Sequence, residues 1–123
     1  MKKEFIINRV GNREIIKAYT HTIKPFLKGL RPREVDVFSE ILYQYYLRKD
    51  IKNPKDRFML IFNAESRAEI AKNINMTSAT FRNAISSLKR KNLIKADNTI
   101  ANAYLIDIDD GKLELVFVFT LNK

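Results

Sequence analysis

The stretch IAKNINMTSATFRNAISSLKRKNLI, residues 70–94, constrains the fold more than any other part of the chain. Its apolar residues fall at helical spacing in two blocks separated by a polar corner. Ile70, Ala71 and Ile74 mark the inward face of one short helix. Phe81, Ala84, Ile85 and Leu88, at offsets of three, four and seven, mark the inward face of a second. Ala71 is small enough to let that second helix cross close above the first. Asn75 stands where the chain must turn sharply, and asparagine tolerates positive φ better than most residues that carry a side chain. Thr77 or Ser78 can cap the second helix by accepting a hydrogen bond from a free amide.

With those faces turned inward, Ser78, Ala79, Arg82, Asn83, Ser86, Lys89 and Arg90 project together on one outward stripe. Small residues lead it, so the N-terminal end can approach a groove closely. Arginine and asparagine follow, the types that bond guanine and adenine edges bidentately, and the trailing Lys and Arg suit backbone phosphates. Charge is distributed to match. The chain carries a net +9, and between Ser66 and Lys95 seven basic residues (Arg67, Lys72, Arg82, Lys89, Arg90, Lys91, Lys95) face one acid, Glu69. No further acid occurs before Asp97, after which Asp107, Asp109, Asp110 and Glu114 reverse the sign. A cationic ridge without interspersed acids points to a polyanionic partner.

Around this core the sequence predicts a mixed order of elements. EFIINRV-GN-REIIKAYT reads as a β-hairpin turned at Gly11-Asn12, with a helix starting at Glu14 as the competing reading. TIKPFLKG can form a short helix ended by Gly29. Pro32 suits a first helical turn, and Val35, Phe38, Ile41, Leu42 and Tyr45 then lie on one stripe. RFMLIF, after the polar loop DIKNPKD, reads as a buried strand. Asn63 or Ser66 can cap the helix that follows. YLIDI-DDG-KLELVFVFTL reads as a hairpin turned at Asp110-Gly111. Helix, strand, helix, helix, strand, strand is the order of a small α+β domain.

Ile70-Ala71, Asn75, Thr77, Thr80-Phe81, Ile85, Leu88 and the run NLI at 92–94 resemble the helix-turn-helix of winged-helix DNA-binding domains, with asparagine at two places where glycine is usual. The resemblance covers roughly Leu30 to Leu121. LRPREVDVFSEIL looks like the first helix of MarR-type regulators, and NLIKADNTIANAYLIDI is closer to the winged-helix replication proteins of plasmids and phages. What the resemblance implies is a winged helix-turn-helix over residues 30–123, a three-helix core with a C-terminal β-hairpin wing, behind an N-terminal extension over 1–29. The helix at 78–91 would then be the recognition helix in the major groove. Ser78, Ala79, Arg82, Asn83 and Ser86 would read bases, while Thr77, Lys89, Arg90, Lys95, Arg67 and Lys72 would hold phosphates. The wing departs from pattern: a tip at DIDDGK would be acidic, and the preferred tip, ADNTIAN, is nearly neutral. Dimerisation, common in such domains, would fall to the N-terminal extension.

Other functions find little to build on. No phosphate-cradling glycine loop, HExxH pair or cysteine is present, and His21 is the single histidine, so catalysis is not expected. DIDDG lacks the spacing of a calcium loop. No cofactor, metal or small-molecule substrate is implied. The absence of a long apolar run or signal-like segment leads to the expectation of a cytoplasmic chain without a membrane partner. The rival to a sequence-specific double-stranded DNA-binding protein, whether transcription regulator or replication factor, is a non-catalytic structural or interaction module, such as a phage virion component.

Overall fold

The helix at Pro32–Leu47, here α2, is buried nearly all round: Val35, Val37, Phe38, Ile41 and Leu42 are each at most 2% exposed. A helix apolar on every side must be covered on every side, and three others do so. α1 (Asn12–Ile23), α3 (Pro54–Phe62) and α5 (Ser78–Arg90) pack against it, and α4 (Ala64–Asn73) joins α3 to α5. Single 3-10 turns occur at Lys24–Phe26 and Asn102–Tyr104. The computed structural model describes residues 4, 6, 8, 11–27, 29–97, 99–106, 108 and 111–121, with only the backbone of Asn102. Among them no helix is long and apolar enough to cross a membrane.

The described residues contain no strand and no sheet, though an isolated antiparallel bridge joins Ile94 and Ile100. The expected α+β winged helix-turn-helix, with its β-hairpin wing and N-terminal β-hairpin, is therefore replaced by an all-helical fold. Each misreading has a local cause. At the N-terminus, Gly11 (φ 80°) leads into α1 instead of turning a hairpin. Ile16, Tyr19 and Thr20 enter the core and Ile15 and Ile23 pack beside them. Their helical spacing overrides the β preference of Ile, Tyr and Thr. The first arm of that expected hairpin lies largely outside the described residues.

RFMLIF belongs to α3. Asn53 caps that helix, accepting from the amides of Lys55 (2.9 Å) and Asp56 (3.4 Å), and Pro54 occupies its first turn. Asn-Pro was thus a helix start, where Pro lacks an N–H that would be unsatisfied anyway. A six-residue apolar run cannot by itself be told from a strand. Here Phe58 and Ile61 take the core and Met59 stays exposed. Asn63 alone separates α3 from α4 and caps the latter through the amide of Ser66 at 2.8 Å.

At the C-terminus, Asp107, Asp109 and Asp110 fall outside the described residues, and the rest of the expected hairpin forms no strand. Tyr104 instead folds back on the helices. Its ring meets Phe38 edge-on at 5.9 Å, and its carbonyl accepts from the Tyr19 hydroxyl at 3.1 Å. Burial and then proximity to Tyr104 raise the Tyr19 pKa, which keeps that hydroxyl a donor.

Two asparagines of the central stretch, Asn75 and Asn92, end helices at positive φ, the first where a sharp turn was expected. Asn75 (φ 54°) ends α4, with its amide on the Lys72 carbonyl (3.1 Å) and that of Met76 on Ala71 (2.8 Å). Asn92 (φ 63°) ends α5 in the same way, its amide on Lys89 (3.1 Å) and that of Leu93 on Leu88 (3.0 Å). These are two Schellman caps with asparagine at the left-handed position.

Candidate nucleic-acid interface

α5 is set by its inward face: Phe81, Ala84, Ile85 and Leu88 are all buried. Thr77 starts it, its hydroxyl oxygen accepting from the Thr80 amide at 3.1 Å while donating to the Thr80 hydroxyl at 2.9 Å. Of the two capping candidates, Thr77 is the one used. On the far side, all five base-reading candidates, Ser78, Ala79, Arg82, Asn83 and Ser86, are exposed. Helical spacing puts Ala79, Asn83, Ser86 and Arg90 along the middle of that face and Ser78, Arg82 and Lys89 along one flank. Among the described residues, none hydrogen-bonds or ion-pairs with the side chains of Arg82, Asn83 or Arg90.

The other flank is closed against α2. Glu34, buried on α2, accepts from the Ser87 hydroxyl and from Lys91 Nζ at 2.9 and 3.1 Å, and also from the Arg31 amide at 3.0 Å. Lys91 reaches on to the Gly29 carbonyl at 2.5 Å. Lys91, part of the cationic run by sequence, is thus committed inward. Burial alone would raise the Glu34 pKa, but the bonds from Ser87, Lys91 and the Arg31 amide outweigh it and hold the carboxyl below its ordinary value. Arg33, one residue earlier, donates to the carbonyls of Ile74 (2.9 Å) and Asn75 (3.3 Å). The turn between α4 and α5 is therefore held from α2. Sequence reasoning did not single out this anchoring. The signal was present, because Glu34 stands on the apolar stripe four residues before Phe38.

The phosphate-binding candidates are dispersed. Lys89 (half-buried) and Arg90 (exposed) lie on α5; Arg67 (half-buried) and Lys72 (exposed) lie on α4. Lys95 follows α5 in a tight turn where its amide bonds the Thr99 carbonyl at 2.7 Å and the Ala101 amide bonds Leu93 at 3.1 Å. This turn is what becomes of the preferred wing tip. Asp97 within it accepts from the Thr99 hydroxyl (2.6 Å) and amide (3.2 Å). The Thr99 hydroxyl chiefly holds its carboxyl below the ordinary value against some desolvation, with Lys95 and Lys55 adding to the effect. Lys55 shares with Lys95, Tyr45, Phe58 and Thr99 a cleft of about 440 Å³.

Arg57 and Arg13 serve the fold together with aromatic rings. Arg57 donates to the Tyr45 carbonyl at 2.8 Å and lies 3.5 Å over its ring, and Tyr45 stacks on Phe58 at 4.7 Å. Arg13 ion-pairs with buried Glu40 and covers Tyr43 at 4.2 Å. Among the described residues no cluster of three or more His, Asp or Glu could hold a metal ion. No protein family, curated protein or solved structure matches the chain.

The Glu34 anchor has a pH signature. A carboxyl whose folded pKa is depressed stabilises the fold above its ordinary value of 4.5 and loses that contribution as pH falls through the folded value. Glu34→Gln is expected to lower stability at neutral pH by about 2 kcal/mol and to flatten the acid limb of the stability curve. Urea denaturation at neutral pH and at successively lower pH values measures both.

Proposed function

We propose that this chain binds double-stranded DNA sequence-specifically, laying α5 in the major groove as the recognition helix of a helix-turn-helix, in transcription regulation or in plasmid or phage replication. One observation carries the reading: the outward face of α5 is continuous, free of acids, and keeps Arg82, Asn83 and Arg90 unbonded while the opposite flank is fixed to α2. A side chain that spends no bonding capacity inside the protein can spend it on a base edge. Ser78 and Ala79 at the leading end leave room for close approach. Lys89 and Arg90, about three helical turns further on, fall where a strand's phosphates pass. A helix-turn-helix can do this without a wing, and the acidic balance after residue 96 gives the C-terminal part little to contribute.

Lys95 is a conditional member of the site, because Asp97 sits beside it and shares its field with Lys55. Arg67 and Lys72 add phosphate contacts from α4.

Neutralising roughly six phosphates makes log affinity fall against log salt with a slope of about −5. A fluorescence-anisotropy salt titration measures it, and a slope near zero would end the reading in favour of an interaction module. Arg82→Ala is expected to cost about 1–3 kcal/mol on the preferred site and to relax selection at the contacted base pair. Selection of bound sites from random duplexes, run on both proteins, supplies the comparison; equal loss on every sequence would make Arg82 a phosphate contact. Asp97→Asn should strengthen binding several-fold on cognate and random duplexes alike by removing the negative charge whose field acts on Lys95. Unchanged affinity would place Lys95 off the DNA.

A further inference from the structure

The C-terminal run LELVFVFTL, residues 113–121, is the largest apolar feature left uncovered. Val116, Phe119 and Leu121 are 85%, 90% and 89% exposed, and Val118 is 79% exposed. The run is held near the body where Leu113 packs against the core and Phe117 stacks on Phe26 at 5.6 Å. Its composition is that of a strand: β-branched and aromatic residues, with Leu113, Leu115, Phe117, Phe119 and Leu121 all on one side of a period of two. Yet among the described residues no backbone group of 115–121 hydrogen-bonds to another part of the chain.

We propose that this run is a homodimerisation strand that pairs antiparallel with its copy in a second chain about a two-fold axis at Phe117. An isologous contact requires a segment that complements itself, and this one does. With Phe117 opposite Phe117 of the second copy, Leu115 meets Phe119, Leu113 meets Leu121, and Val116 meets Val118. The apolar side then forms an unbroken ladder of Leu and Phe pairs. On the other side Glu114 faces Thr120, so no like charges are brought together. Placing Phe117 at a non-hydrogen-bonded pair lets the Val118 amide donate to the Val116 carbonyl of the second copy, twice by symmetry.

Area and charge both favour a second copy. Each chain offers on the order of 700 Å² of apolar side-chain surface along the run, against about 800 Å² per partner in an interface of standard size. Two chains of net +9 repel wherever their cationic faces approach. Within 113–121 the only charged residue is Glu114, so this is where two copies can meet without opposing cations.

Mass measurement of the full chain tests the proposal without reference to DNA. Light scattering across the micromolar range is expected to give twice the 14.4 kDa chain mass. Val118→Pro, which removes the cross-strand donor, and Phe119→Asp, which puts a charge on the apolar ladder, are each expected to give the single-chain mass. Both side chains are largely exposed within one chain, so helical circular dichroism should stay unchanged, while melting should lose the concentration dependence that dimerisation gives it. The chain has no cysteine, so Phe117→Cys under mild oxidation should yield one cross-linked dimer and verify the register. A wild-type chain that stays monomeric overturns the proposal and leaves the strand to a partner of other sequence. A dimer that survives both substitutions, or one that Phe117→Cys cannot cross-link, overturns it in favour of another interface.

Discussion

Glu34 and Glu40 on α2 are only 5% and 2% exposed, and a carboxylate withdrawn that far from water persists only with partners in fixed places. Six residues apart, they look out from different sides of the helix. Glu34 meets Ser87 and Lys91 of α5, and Glu40 meets Arg13 of α1. Apolar contacts between helices tolerate some sliding, since any buried surface is nearly as good as its neighbour. A buried charge does not tolerate it, because losing its partner exposes the full cost of desolvation. The two glutamates therefore set the registers of α1 and α5 on a helix whose apolar surface would otherwise leave them loose. The outward direction of α5 follows from this.

Net charge alone would not have separated the cations that build the protein from those available to a partner. Arg13, Arg33, Arg57 and Lys91 are engaged with buried carboxylates, carbonyls and rings. Arg82 and Arg90 are not. A run of basic residues in sequence therefore overstates the charge a surface can offer, and the end of α5 shows the division between adjacent residues: Lys91 turns inward and Arg90 faces out.

Where apolar residues recur at three and four over a long enough segment, the sequence is informative. The pair α4 and α5 and the exposed stripe from Ser78 to Arg90 could be read from spacing, and residue type pointed to a left-handed asparagine at 75 and to a cap at Thr77 or Ser78. Reading failed where short segments rich in Ile, Phe, Val and Tyr satisfied strand composition and helix spacing together, as at REIIKAYT and RFMLIF. In those places the deciding residues were Gly11 and Asn53-Pro54, which resemble turn formers but open helices. The C-terminal run failed differently. Its composition is that of a strand, but a strand exists only with a neighbour, and no neighbour lies among the described residues. The inward partnerships of Glu34 and Lys91 join residues 57 apart in sequence, a separation that no local pattern encodes.

The clasp of Arg33 on the Ile74 and Asn75 carbonyls bears on how any duplex would have to be fitted. Those carbonyls belong to the corner between α4 and α5, the natural hinge of a helix pair, and a guanidinium rooted in α2 spans it. With the corner held in this way, a change in the angle between α4 and α5 would have to break these bonds. Accommodation in the proposed complex then falls to the nucleic acid. Steps that kink or twist easily would be favoured even at base pairs that no side chain reaches.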